Sequence, residues 1–250
     1  MKHKEKLLAL EETYHDKVAS HYAVRSETDY IWEIPSEILL FRRSYIKLGD
    51  TVIDFGCGPS TLIRNLISPE ILKGIRYIGV DVSPEMIKFA KKNIPTGFFI
   101  VGDMQKVTIP RTSADVIISL GALHHAINME KTVEFWLELL NKKGVILMRE
   151  PTLDAFRRGQ GESPAEEGIE VGKLIKLVNK HGAKILSLRY FNSTAFHLFN
   201  RALIKIGLSK WQQVRLLWYP VFYLDLLVSN LLGFIPVFKG LAFAAIIKKK

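Results

Sequence analysis

A turn between an apolar segment and a helix-forming segment constrains the fold of this chain more than any other feature. Residues 51–60 read TVIDFGCGPS, in which a largely apolar run leads into Gly56 and Gly58. Where a buried strand ends, the backbone must reverse sharply, and glycine permits both the reversal and a close approach to a ligand because it has no Cβ. The turn therefore predicts a ligand site at the end of the first strand.

Strand and helix patterns alternate on both sides of this turn. Short apolar runs bounded by Gly, Pro and Asp predict strands, and the segments between them predict helices. The predicted strands are 52–55, 77–80, 98–101, 116–120, 145–148, 183–191 and 241–247, and the predicted helices are 5–18, 36–47, 61–67, 84–93 and 131–140. The alternation predicts an α/β fold with a Rossmann-like, seven-stranded, mostly parallel sheet and helices on both faces.

One further helix has a clear start signal. Ser163 precedes Glu166 by three residues, which is a capping-box pattern, and Gly182 is expected to end the helix. The linker before it contains Arg157 and Arg158, which would either bind an acidic group of a substrate or remain solvated.

Length and composition indicate one globular α/β domain with an appendage. The chain has 250 residues, of which 48% are hydrophobic. Cys57 is the only cysteine, which excludes an internal disulfide and a CxxC metal site, and the sequence predicts no metal. No apolar signal segment precedes or includes the charged start MKHKEK, so we expect a cytoplasmic protein, with contact to a membrane surface as an additional expectation.

Charge is distributed unevenly along the chain. The net charge is +10, and residues 183–250 hold ten Lys or Arg against the single acid Asp225. This asymmetry indicates contact with an anionic surface, either a membrane or a nucleic acid. A merely solubilising cluster at residues 248–250 is the alternative.

The segment 194–239 is both apolar and basic. Between residues 216 and 238 only Asp225 is charged, and the run contains Pro220 and Pro236. A membrane-spanning helix needs about 20 apolar residues, but the charge and the prolines favour two or three amphipathic helices instead. We expect these helices either to form a lid over the ligand pocket or to rest on a membrane surface.

Polar residues follow the predicted strands at the same edge of the sheet. Asp81 ends the second strand 25 residues after Gly56, Asp103 follows the third, and Ser119 and Glu150 lie at the ends of the fourth and fifth. The carboxyl ends of parallel strands share one edge, where open α/β sheets bind ligands. In nucleotide-binding folds an acid after the second strand accepts hydrogen bonds from ribose hydroxyls.

Five segments, taken in order, resemble the motifs of a known family. They are VIDFGCGPS, YIGVDVSPEMIKFAKKN, FFIVGDMQ, ADVIISLGALHHAIN and LNKKGVILMREP. Together they are similar to the successive motifs of class I S-adenosylmethionine-dependent methyltransferases, over residues 45–151 and the last strand. The His124-His125 pair and the Glu150-Pro151 ending look most like the small-molecule and lipid-quinone group. The resemblance implies the fold and S-adenosylmethionine as cofactor, and it says little about the methyl acceptor.

The first motif is implied to bind the methionine end of the cofactor. The resemblance places Asp54, Gly56 and Gly58 there, with Asp54 near the ammonium group. Ser60 stands where the family often has a third glycine, and its side chain is expected to alter the approach to the carboxylate end. A helix N-terminus that follows still favours that anion.

The second and third motifs are implied to bind the nucleoside. By the resemblance, Asp81 would hold the ribose hydroxyls, and Val82 and Met86 would pack on the adenine. Asp103 and Met104 would meet the adenine edge.

The fourth motif is implied to lie beside the methyl group. Ser119 and Leu120 would line the cofactor there, and His124 and His125 are the candidate general bases for a hydroxyl or carbon acid, because histidine titrates near neutral pH. A role that only shapes the pocket stays open for both histidines. Tyr22, on the N-terminal segment, is expected to cover the site and is the third catalytic candidate.

These features divide the chain into four parts. They are an N-terminal helical cap (1–50), an S-adenosylmethionine-binding α/β core (51–193), an apolar and basic helical insertion (194–239), and the last strand with a basic tail (240–250).

The predicted function is methyl transfer from S-adenosylmethionine to a small, hydrophobic or lipid-like acceptor, with peripheral contact to an anionic membrane. One alternative is a nucleic-acid methyltransferase, although the sequence has no NPPY-type motif for a flipped base. The other is a non-catalytic, membrane-associated adaptor that retains the fold.

Overall fold

The computed structural model describes most of the chain. The described residues are 2–28, 30–42, 44–109, 113–156, 167–208 and 214–249. The predicted helix start at Ser163, together with Arg157 and Arg158, lies outside these residues.

Seven strands form one sheet in the order β3-β2-β1-β4-β5-β7-β6. The strands are β1 (Thr51–Phe55), β2 (Arg76–Asp81), β3 (Phe98–Val101), β4 (Ala114–Leu120), β5 (Leu140–Pro151), β6 (Ala183–Ser193) and β7 (Gly240–Lys249). Neighbouring strands are parallel, except that β7 is antiparallel to β5 and β6. Strand order reverses between β1 and β4, which is where α/β sheets open a ligand crevice. The predicted seven-stranded, mostly parallel sheet is confirmed.

Helices pack on both faces of the sheet. They are α1 (Lys2–Thr28), α2 (Tyr30–Ser36), α3 (Thr61–Leu66), α4 (Pro69–Gly74), α5 (Pro84–Asn93), α6 (Met129–Leu139), α7 (Leu153–Phe156), α8 (Val171–Lys180), α9 (Thr194–Lys205) and α10 (Arg215–Leu231). Short 3-10 helices lie at Leu123–His125 and Pro236–Phe238.

The second N-terminal helix differs from the prediction of a helix over residues 36–47. The segment Glu37–Phe41 forms a π-helical turn, and residues 44–47 are not helical. Pro35 lies inside α2, where it has no N–H to donate. The bonding then shifts to i→i+5, as shown by the N–H of Arg42, which donates to the carbonyl of Glu37 at 2.8 Å.

Helix α4 was not predicted, although the sequence contains its start signal. Ser68 caps it by accepting a hydrogen bond from the N–H of Ile71 at 3.4 Å, and Pro69 occupies the first turn. Six residues are too few to show a helical period of apolar side chains, so only the cap could have revealed this helix.

Alternating strand side chains fill a core on each face of the sheet. Ile53 and Phe55 point to one face, where Trp136 of α6 stacks on Phe55 with ring centroids 4.9 Å apart. Val52 points to the other face, where Trp218 of α10 is buried. Truncation of such a ring costs about 3–5 kcal/mol, so the strand ends that carry the site rest on a well-packed support.

The segment 194–239 forms α9 and α10. Ser193 caps α9 by accepting a hydrogen bond from the N–H of Phe196 at 3.2 Å. Asp225 of α10 accepts from the N–H groups of Asn192 and Ser193, at 2.5 and 2.9 Å, which ties α10 to the end of β6. Within the described parts of the chain, no helix is both long enough and apolar enough to cross a bilayer.

Candidate active site

The glycine turn follows β1 and is held against β2. The N–H groups of Gly56 and Cys57 donate to the carbonyl oxygen of Val80, at 2.8 and 3.1 Å. Gly56 has a φ of +65°, and a Cβ added there would come 2.3 Å from the Cβ of Ala122. Gly58 has a φ of +50° and borders the cavity, and a Cβ added there would meet no protein atom within 4 Å. The backbone at Gly58 is therefore open to a ligand.

A buried acid lies next to the turn. Asp54 is 3% exposed, and the hydroxyl of Tyr77 donates to its Oδ2 at 2.6 Å. The pKa of Asp54 is raised from 3.8 to about 7, mainly by burial. The negative charge of the nearby Asp81 adds to this rise, and the hydrogen bond from Tyr77 opposes it. Ser60 has a φ of +55°, a conformation that favours glycine, and its hydroxyl lies 3.2 Å from that of Tyr77. A cation bound beside Asp54 would hold this carboxyl group in its charged form.

Asp81 connects three elements at the end of β2. Its Oδ2 accepts from the N–H of Gly58 at 2.8 Å, and its Oδ1 accepts from the N–H of Ser83 at 2.9 Å. Ser83 caps α5 through the N–H of Met86 and donates its own hydroxyl proton to Asp16 of α1. Burial raises the pKa of Asp81, and its hydrogen bonds partly oppose this effect. Asp81 therefore joins the turn to the start of α5, and the hydroxyl of Ser83 joins that start to α1.

Beyond β3, Asp103 has an acceptor atom available for a ligand. Its Oδ1 accepts from the N–H of Gln105 at 2.9 Å, whereas its buried Oδ2 has no hydrogen-bond partner among the residues that the structure describes. The apolar side chains of Val82, Met86 and Met104 border the same cavity. A buried acceptor without a partner costs about 1–3 kcal/mol, which a ligand donor would relieve.

Glu150, at the end of β5, organises the fourth motif. Its Oε1 accepts from the hydroxyl of Ser119 at 2.7 Å and from the N–H groups of Ala122 and Leu123 at 3.1 and 3.0 Å. Its Oε2 lies 2.9 Å from Nδ1 of His124. Burial opposes ionisation of Glu150, but its contacts with His124 and Ser119 outweigh burial and lower its pKa. Ser119, which we expected beside the cofactor, thus does not line the cavity and instead holds Glu150.

The N-terminal helix α1 contributes the predicted Tyr22 and two side chains that were not predicted, Glu11 and His15. Tyr22 borders the cavity, and so do Glu11 and His15. Oε2 of Glu11 lies 3.0 Å from Nδ1 of His125 and 3.4 Å from Nε2 of His15. Burial lowers the pKa of His125, and the contact with Glu11 opposes this shift. The i, i+4 spacing of Glu11 and His15 was a readable signal, because it places both on one face of a helix.

Another part of the cavity wall is polar and was also not predicted. His197 and Asn200 of α9 border it, together with Asn192 and Arg149. Asn192 has a φ of +60°, and its buried Oδ1 has no hydrogen-bond partner within the described residues. Arg149 is 6% exposed and donates to the carbonyl of Leu120 at 3.0 Å, and burial lowers its pKa to about 10. This wall offers a guanidinium group and two amides to a ligand.

The site surrounds one cavity of about 710 Å³. Its lining contains nine of the ten residues predicted to bind the cofactor and all three catalytic candidates, namely Asp54, Gly56, Gly58, Asp81, Val82, Met86, Asp103, Met104, Leu120, His124, His125 and Tyr22. The volume lies in the range of about 300–1,000 Å³ that is usual for small-molecule sites.

The lining fits S-adenosylmethionine in three respects. Asp54 beside the glycine turn suits an ammonium group, the open space at Gly58 gives access to the backbone, and the unpartnered Oδ2 of Asp103 suits an amino donor of adenine. Asp81 already accepts two backbone hydrogen bonds, so ribose hydroxyls would use the remaining lone pairs of its oxygens.

A Rossmann-like sheet with this glycine turn and an acid at the end of each of the first three strands defines the class I S-adenosylmethionine-dependent methyltransferases. The chain belongs to a family of methyltransferase domains, whose family model matches residues 46–185, more than half of its length. An uncharacterized methyltransferase of Bacillus cytotoxicus is 37% identical over 99 residues, which are 38% of this chain and 44% of that protein. The match thus spans less than half the length of this curated relative.

Solved structures share the fold at low sequence identity. A chain of the complex between the Haloferax volcanii Trm112 methyltransferase activator and a methyltransferase superposes with a TM-score of 0.66 and 16% identity, over 94% of this chain and 97% of that one. A TehB-like S-adenosylmethionine-dependent methyltransferase of Corynebacterium glutamicum superposes with a TM-score of 0.56 and 16% identity, over 95% and 98% of the two chains. These likenesses support the fold alone.

The glycine turn gives a first testable prediction. We expect Gly58→Ala to weaken S-adenosylmethionine binding by about 10- to 100-fold, because overpacking costs about 1–3 kcal/mol. Gly182→Ala is the matched control, since Gly182 has a φ of +70° and equally open surroundings but does not line the cavity. Calorimetric titration should show weakened binding in the first variant alone, and equal losses in both would contradict a role for Gly58 in the site.

Proposed function

We propose that the protein transfers a methyl group from S-adenosylmethionine to a small, largely hydrophobic acceptor that carries a polar head group. One observation carries this proposal. The residues suited to the cofactor line the same cavity as His124, whose ring is oriented by Glu150. The same cavity includes Arg149 and Asn192, which suit the head group of an acceptor.

Residues of this chain would bind the cofactor, orient the acceptor beside it and deprotonate the acceptor hydroxyl. When bound, S-adenosylmethionine supplies an electrophilic methyl group that needs no covalent help from the protein. Asp54, Asp81 and Asp103 would hold the cofactor, and α1 would limit the access of water. If Nδ1–H of His124 donates to Glu150, then Nε2 of His124 is the nitrogen that accepts a proton from an acceptor hydroxyl.

The shape of α10 supports a hydrophobic acceptor. One face of this helix is buried through Trp218 and Phe222, while Leu224, Leu227 and Leu231 on the other face are 62%, 55% and 65% exposed. The spacing of three and four residues aligns these leucines in one stripe. We call residues 224, 227 and 231 the outer stripe of α10. A helix that is apolar on both faces needs an apolar partner on the outer one.

We infer that this partner is an anionic lipid surface. Phe234, just after α10, is 80% exposed, and residues 183–250 carry ten basic residues against one acid. An exposed apolar stripe within a basic part of the chain is consistent with a helix that lies in a membrane interface. Because α9 lines the cavity and belongs to the same segment, a lipid-like acceptor could pass from the membrane surface to the site.

Two measurements test the proposed activity. Calorimetry with S-adenosylmethionine should show binding, and incubation with the methyl-labelled cofactor should transfer label to an alkylphenol or a fatty acid rather than to small polar amines or RNA. Failure to bind the cofactor would exclude the enzyme and favour the non-catalytic adaptor. Label in RNA alone would favour the nucleic-acid alternative.

The membrane contact is tested with a pair of double variants. We expect Leu224→Ser combined with Leu231→Ser to reduce flotation with anionic liposomes by about tenfold, because each buried leucine contributes about 1.5–3 kcal/mol and these side chains insert only in part. Phe98→Ser combined with Val101→Ser, at the opposite sheet edge, removes two exposed apolar residues and should float like the wild type. Flotation that is equal in both variants would contradict the lipid contact. A lipid-free dimer that dissociates in the first variant alone would assign the stripe to a second copy.

A further inference from the structure

Glu11, His15 and His125 direct three metal-ligating atoms toward one point at the edge of the cavity. Oε2 of Glu11 lies 3.0 Å from Nδ1 of His125 and 3.4 Å from Nε2 of His15, and all three atoms lie within 4.8 Å of one another. The two imidazole rings meet edge to face, with centroids 5.0 Å apart. A carboxylate and two imidazoles from α1 and from the turn after β4 thus converge.

The separations of these atoms suit a metal ion. Zn²⁺ binds histidine nitrogen and carboxylate oxygen at about 2.0–2.2 Å, so a tetrahedral site places neighbouring ligand atoms about 3.3 Å apart. Both distances from Glu11 are close to this value. Two histidines and a carboxylate form the donor set of catalytic zinc sites and of non-haem iron sites, which keep further positions open.

The local charge also favours a cation. Glu11 is 4% exposed. The ring of His124 packs on that of His125 with centroids 4.0 Å apart. The buried carboxyl group of Glu11, which contacts both imidazoles, is an anionic oxygen ligand for a divalent ion.

We propose that Glu11, His15 and His125 form a binding site for one divalent transition-metal ion of the Zn²⁺ type, with at least one coordination position open to the cavity. The ion holds α1 against the turn after β4. It also presents a Lewis-acidic position to an oxygen ligand in the cavity. The site goes beyond the proposed methyl transfer and does not depend on it, because metal binding alone defines it.

Metal titration of the full chain tests the site. Protein stripped with EDTA is titrated with Zn²⁺ against a chromophoric chelator and, separately, with Co²⁺ followed by visible absorption. We expect one equivalent of Zn²⁺ to bind and to displace Co²⁺. His15→Ala and Glu11→Gln should each weaken the affinity for Zn²⁺ at least about tenfold, since even the residues that only support metal ligands contribute 10- to 100-fold.

The control variant is His21→Ala, which removes an exposed imidazole from the same helix. It should bind Zn²⁺ like the wild type. Equal Zn²⁺ affinity in the wild type and in His15→Ala would overturn the proposal. The contact between Glu11 and His125 would then be an ordinary side-chain interaction without a metal ion. A cooperative thermal unfolding transition in every variant shows that the chain is folded, and S-adenosylmethionine binding by the wild type, measured separately, distinguishes failure of the metal site from failure of the methyl transfer. His15→Gln, which retains a polar side chain, replaces His15→Ala if that variant does not fold.

Discussion

Asp54→Asn is expected to abolish most of the binding of S-adenosylmethionine and, at the same time, to stabilise the protein without ligand. Burial raises the pKa of Asp54 to about 7, so the native state retains a proton that the unfolded chain has lost above the ordinary value of 3.8. Native stability from this group therefore falls as pH rises from about 4 to about 7 and stays reduced above that. The charged form costs on the order of 4 kcal/mol, and asparagine removes this cost.

The same group should make cofactor binding depend on pH. A ligand ammonium group favours the charged form of Asp54, and a proton competes with it below the native pKa. We expect the affinity of the wild type to fall about tenfold per pH unit below about pH 7, and the affinity of Asp54→Asn to be about 100-fold lower and independent of pH in this range.

Calorimetry and urea denaturation at about pH 5 and about pH 8 measure both effects, and the stability gained in Asp54→Asn should be larger at the higher pH. Tyr77→Phe removes the hydrogen bond that lowers the pKa of Asp54 and should move the midpoint of the binding curve to higher pH. Asp50→Asn, which removes an acid outside the cavity, should change neither quantity. A variant at Asp54 that binds the cofactor normally would contradict the assignment of the ammonium site.

The sequence was most informative about the candidate site residues that lie at the ends of strands. Asp54, Asp81 and Asp103 were predicted because each lies at or just after a short apolar strand, and strand order brings these positions to one edge of the sheet, where all three line the cavity. Gly56 was predicted from the turn pattern, and the structure gives it a positive φ and a close approach of Ala122, which leave no room for a Cβ. Local backbone geometry and the topology of the fold were sufficient to predict where these residues lie.

The remaining site residues depend on how distant segments dock. Glu11 and His15 come into contact with His125 only because α1 packs beside the site, where Asp16 bonds to Ser83. No periodicity in the sequence specifies that docking. Ser119 is the opposite case. It lies at the end of β4, as predicted, but its hydroxyl donates to Glu150, and the side chain does not line the cavity. Sequence patterns place a residue at an edge, whereas packing decides which way its side chain turns.

The largest effect on turnover is expected from His124→Asn. Its Nδ1 lies 2.9 Å from Glu150, which is buried and whose lowered pKa keeps it charged, so the ring is oriented much as a general base requires. With an alkylphenol as acceptor, we expect kcat to fall by about 10²- to 10⁴-fold, with the affinity for S-adenosylmethionine unchanged. Glu150→Gln should lower kcat as well and should also destabilise the turn after β4, because Oε1 of Glu150 accepts from Ser119 and two backbone N–H groups.

His181→Asn is the control, because it removes an imidazole that pairs with Glu134 and does not line the cavity. It should retain full activity. If His124→Asn loses activity toward the phenol but retains it toward an aliphatic amine, the histidine acts as a base, since an unprotonated amine attacks the methyl group without losing a proton first. If both acceptors are affected equally, His124 only shapes the pocket. The ratio of the two losses thus separates a proton-transfer role from a packing role at the same residue.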